Sequence, residues 1–135
     1  MEKIISHKDL IVWQKAIALA CKVYAATACL PREERFGLQT QMRRAAVSVA
    51  SNIAEGSARR TRPEFIQFLH IARASLAEIE TQYLIAAQQC LLHDTAATLD
   101  QIAEVGRLLN GLIRSLVSSN RKAHAQACAP PSANR

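Results

Sequence analysis

From Phe65 to Cys90, apolar residues return at alternating intervals of four and three: Phe65, Leu69, Ala72, Leu76, Ile79, Tyr83, Ala86 and Cys90. Residues so spaced share one side of an α-helix, whereas a strand would need a period of two. An unbroken series of this kind is the seam along which a bundle helix packs on its neighbours at a shallow angle. The pattern recurs in Leu99, Ile102, Gly106, Leu109, Ile113 and Leu116, with Val105, Leu108 and Leu112 alongside. Gly and Pro number only 4 each and aromatic residues make up 4% of the chain, which favours helices and leaves strands little to build from.

Two further helices precede these. Between Leu10 and Leu30 one stripe contains Leu10, Trp13, Ile17, Ala20 and Tyr24, and a second contains Val12, Ala16, Leu19, Val23, Ala26 and Leu30. Together they exceed the arc of ~100° that ordinary burial requires. The excess predicts a subunit interface, assigned to Trp13, Leu19 and Val23. Asp9 is the expected N-cap, and Pro31 the expected stop. Helix 2 is expected from about Leu38 to Arg59, with Leu38, Met42, Ala45, Val49 and Ile53 facing the core.

Its opposite side carries a polar ridge of Gln41, Arg44, Ser48, Asn52, Glu55 and Arg59. A satisfied polar seam fixes helix register, and Ser48, Asn52 and Glu55, with Glu80 of helix 3, are assigned to one. The competing reading displays Ser48, Asn52 and Glu55 to a ligand. Gly56 allows a neighbouring backbone to approach closely. Thr61, Pro63 and Glu64 form the capping box that starts helix 3, and Asp94 or Thr95 caps helix 4.

The chain of 135 residues thus reads as all-α, an antiparallel up-down-up-down four-helix bundle over residues 9–117. Residues 1–8 form an N-terminal arm, and residues 118–135 a disordered basic tail. The N-terminus has no apolar signal-peptide core and no run has transmembrane length, so a cytoplasmic protein without membrane contact is expected. Cys21, Cys29, Cys90 and Cys128 show no paired spacing and read as free thiols.

Catalytic chemistry finds little to use. His7, His70, His93 and His124 are scattered, so no metal or other cofactor is expected. Glu78 and Glu80 point about 200° apart around one helix and cannot converge on a substrate. No phosphate-binding glycine loop is present, and the chain is read as a non-enzyme. Its net charge is +6, which permits a polyanionic partner. Arg43, Arg44, Arg59, Arg60 and Arg62 around helix 2 are the candidate contacts to RNA or DNA, because the forked guanidinium suits phosphate.

Several segments resemble the four helix bundle protein family, whose members include proteins encoded in intervening sequences of 23S ribosomal RNA genes. They are Asp9–Ala16, Arg43–Ser48, Asn52–Gly56, Glu64–Leu69, Ser75–Gln82 and Leu109–Ile113. The resemblance implies a ring-shaped homopentamer without enzymatic activity. It also implies kinship with the accessory variability protein of diversity-generating retroelements, a basic barrel that binds nucleic acid and a reverse transcriptase. A scaffold that binds only protein is the alternative.

Overall fold

The computed structural model describes residues 6–128. Four α-helices carry the fold: α1 (Ile11–Thr27), α2 (Leu38–Ser57), α3 (Arg62–Gln88) and α4 (Ala96–Ala127), with 3₁₀ turns at His7–Asp9 and Arg32–Glu34. Helices α1 and α2, α2 and α3, α3 and α4, and α4 and α1 pack on one another, while the diagonal pairs do not. That closed cycle, with short connections, is an antiparallel four-helix bundle. Among the described residues no helix is long and apolar enough to cross a membrane.

The seams lie where the periodicity places them. Met42, Val49 and Ile53 of α2 meet Leu69, Ala72, Ile79 and Tyr83 of α3 and Ile102, Val105 and Leu109 of α4 in one buried core. Leu19 and Val23 belong to this core, at 1% and 0% exposure, which removes them from any surface a second subunit could reach. The second stripe of α1 is thus the protomer's own core face, and the first stripe lies toward the outside, with Ile17 and Tyr24 exposed.

The helix ends differ from the sequence reading for identifiable reasons. Leu10, rather than Asp9, is the N-cap of α1, because Asp9 belongs to the preceding 3₁₀ turn. Helix α1 stops at Thr27, before Pro31 is reached. Its terminal carbonyls are taken by side chains of α2: Gln39 Nε2 donates to Thr27 O at 3.0 Å and Arg43 Nη2 to Tyr24 O at 3.2 Å. Carbonyls satisfied in this way release the chain from the helix.

Helix α3 starts as expected, with Thr61 accepting from the Glu64 amide at 3.3 Å. It ends before Cys90, which is exposed and has φ 56°. Leu91 N donates to Ala86 O and Cys90 N to Ala87 O, at 2.9 and 3.1 Å, a Schellman termination with cysteine in the place usually held by glycine.

The largest departure is at the C-terminal end. Helix α4 runs on through Ala127, so the stretch from Ser118 assigned to a disordered tail is helical as far as it is described. Ala123, Ala125, Gln126 and Ala127 are strong helix formers, and no Gly or Pro intervenes before Pro130. Residues 129–135 of that tail, and residues 1–5 of the expected arm, lie outside the described residues.

Candidate nucleic-acid interface

The arginines around α2 divide by what surrounds them. Arg43 is half-buried, and Nε donates to Thr27 Oγ1 at 2.9 Å while Nη2 donates to Tyr24 O. Its guanidinium stacks 4.6 Å from the Tyr24 ring centroid. Placed at the C-terminus of α1, it satisfies carbonyls and complements the helix dipole. Its donors serve the fold, which takes Arg43 out of the phosphate-facing set.

Arg59 is partly engaged as well. It pairs with Glu55 at 3.0 Å and lies 4.6 Å above the Phe68 ring. Arg44, Arg60 and Arg62 are exposed and form no ion pair among the described residues.

A second basic row escaped the sequence reading. Arg107, Arg114 and Arg121 recur every seven residues along α4, with Lys122 beside the last, and no acid follows Glu104 anywhere in the chain. All are exposed and without an ion pair among the described residues. The seven-residue spacing was the available signal. It was hidden because the final stretch was assigned to a tail instead of a helix.

These groups meet at one pole of the bundle. Arg73 Nη1 donates to Asn110 Oδ1 at 3.1 Å, which fixes the level of α3 against antiparallel α4. Moving about 16 Å toward the start of α3 reaches Arg62, and the same distance along α4 reaches Arg121. Arg59 and Arg60 occupy the turn at that end. The pole therefore gathers Arg59, Arg60, Arg62, Arg121 and Lys122, with Glu55 and Glu64 as the nearby acids.

The polar ridge resolves into a smaller seam. Ser48 Oγ and Ser75 Oγ lie 2.9 Å apart, and Asn52 Nδ2 donates to Ser48 O at 2.8 Å and Ser48 Oγ at 3.0 Å. Ser75, overlooked in the sequence, is the α3 partner and is buried. Glu55 leaves the seam for solvent and Arg59, because it lies beyond the reach of the serine pair on the exposed side of α2. Glu80 is also exposed; Arg73, its expected partner, instead meets Asn110 and His70 Nδ1.

Below the seam, a Cβ added to Gly56 would lie 2.7 Å from Phe68 Cβ and 2.9 Å from Phe65 Cδ2. The absent side chain is what lets α2 and α3 converge at the basic pole.

Of the residues assigned to a subunit interface, Trp13 alone stays near the surface. It is half-buried, and His7 packs edge-on at 5.0 Å. Among the described residues no group of three or more His, Cys, Asp or Glu could hold a metal ion, and all four cysteines are free and exposed.

Comparison with known proteins agrees with this architecture. A Bacteroides thetaiotaomicron protein with unknown function from the S23 ribosomal protein family superposes with a TM-score of 0.72 at 21% identity, covering 82% of this chain and 99% of that one. At that identity the likeness speaks for the fold. No curated protein matches the chain. The family described as 23S rRNA-intervening sequence protein matches residues 8–111, from the turn before α1 through most of the bundle. The chain belongs to the 23S rRNA-intervening sequence protein family.

Proposed function

We propose that the protein is a non-enzymatic, homo-oligomeric accessory protein that binds RNA or DNA through its basic pole. The observation that carries this reading is the convergence of Arg60, Arg62, Arg121 and Lys122 at one end of the bundle without acidic partners. Like charges gathered on an exposed end repel one another, and a phosphate backbone relieves that repulsion while releasing its condensed counterions. The row through Arg107 and Arg114 extends the surface along α4.

The oligomer, a pentamer on the family resemblance, is supported by exposed apolar side chains. Ile17 and Tyr24 of α1 and Val47 of α2 are 40–45% exposed, and Tyr24 and Val47 line one groove. A second copy is the partner proposed for it. A protein ligand such as a reverse transcriptase is the alternative occupant, and would make the molecule a scaffold.

Fluorescence anisotropy with labelled single-stranded and duplex RNA and DNA tests the main reading. Affinity should weaken steeply between about 50 and 200 mM salt. Joint substitution of Arg60, Arg62, Arg121 and Lys122 by Ala should reduce both the affinity and the salt slope, with the helical content unchanged. Binding that persists undiminished in that variant would refute the pole as the interface.

A further inference from the structure

The pole opposite the arginines, where α3 turns into α4, holds a cavity of about 600 Å³, within the range that takes a small molecule. Tyr83 and Thr98 line it and are 1% and 2% exposed. Tyr83 Oη is buried and has no hydrogen-bond partner. Burial pushes the phenol's pKa up, and the neighbouring Thr98 hydroxyl offsets this only in part. The group therefore keeps a proton that no protein atom accepts, where a buried phenol ordinarily finds an acceptor.

A second, independent feature borders the same space. Helix α4 begins at Thr95 with no side-chain cap and no acid in its first turn, and Thr95 and Thr98 face the cavity wall. Uncapped amides and the positive end of a helix 32 residues long favour an anion. Lys22 reaches the cavity from α1 and forms no ion pair among the described residues. Leu91 and Leu92 add apolar wall. Cys90 and Asp94, at the two ends of their loop, both have φ 56°, a conformation non-glycine residues adopt at some cost.

We infer that this cavity binds a small organic acid, its carboxylate at the start of α4 with Lys22 and the Tyr83 hydroxyl as donors, and its carbon chain against Leu91 and Leu92. Asp94 is the one acidic side chain lining the cavity, and it opposes the bound carboxylate.

Hexanoate titrated into the full chain and followed by amide NMR shifts provides the test, with inorganic phosphate and hexylamine as parallel probes. Hexanoate should produce saturable shifts at Thr95–Thr98, tighter than phosphate, and hexylamine none. Tyr83→Phe removes a hydroxyl that bonds to nothing in the fold, so the variant stays folded. It should bind hexanoate about tenfold more weakly, the effect of one hydrogen bond to a charged group. Lys22→Ala should also weaken binding, and Asp94→Asn should tighten it. Shifts that do not saturate, a Tyr83→Phe variant with unchanged affinity, or phosphate or hexylamine binding as tightly as hexanoate would overturn the inference.

Discussion

Gly56 and Tyr83 show how single atoms set the terms for the bundle. A methyl group at Gly56 would meet Cβ of Phe68, an atom fixed to the α3 backbone, so relief requires the two helices to separate. Gly56→Ala should therefore destabilise the protein by about 1–3 kcal/mol despite its gain in helix propensity, read as a lower urea midpoint. Tyr83 gives a pH signature. Its pKa is raised by burial above the ordinary 10.0. Below pH 10 folded and unfolded chains both hold the proton, and the group adds no pH dependence. Above it the unfolded chain ionises first, and stability falls until the raised native pKa is passed. The wild-type protein should thus lose more stability than Tyr83→Phe between about pH 9 and pH 11, measured as the difference between their denaturation midpoints. Arg43 marks the limit of sequence reading at this scale. Its charge and position resemble those of Arg44, and only the tertiary placement of Thr27 and Tyr24 distinguishes a structural clamp from a free cation.

Elements were legible where periodicity runs long and less so where it ends. The four-three seams of α3 and α4 identify the helices because each residue has a buried partner. Beyond Val117 burial ceases: most of α4 from Ser118 to Ala127 is exposed, so no hydrophobic pattern signals that the helix continues. Helix propensity carries it instead, and an isolated helical segment of this length is marginal in water. Amide exchange should accordingly be fast after Val117 and slow through Ile102–Ile113. Truncation after Val117 should leave the melting temperature within about 4 °C of the full chain, because little core is lost, while weakening nucleic-acid binding. The polar seam divides for a similar reason: Ser48 and Asn52 share a helix face visible in the sequence, but Ser75 is joined to them only by the packing of α3 on α2.

For the whole molecule, the two ends of the bundle have different characters. One is a pole of arginines, the other a cavity with an uncapped helix start, and the apolar groove of Tyr24 and Val47 lies on the side between them. Side-by-side assembly through that groove would leave both poles open. Val47→Glu, at a position 44% exposed in the protomer, should lower the assembly mass measured by light scattering without altering helical content. An unchanged mass would place the subunit contact elsewhere. The tight corner between α2 and α3 also bears on how the chain reaches this state. Few residues separate the two helices, Thr61 caps the second, and Arg59 stacks across onto Phe68. Closing so short a loop loses little chain entropy, so this hairpin is expected to be the folding nucleus onto which α1 and α4 later condense. The instability introduced by Gly56→Ala should then appear chiefly as slower refolding in stopped-flow experiments, with the unfolding rate nearly unchanged.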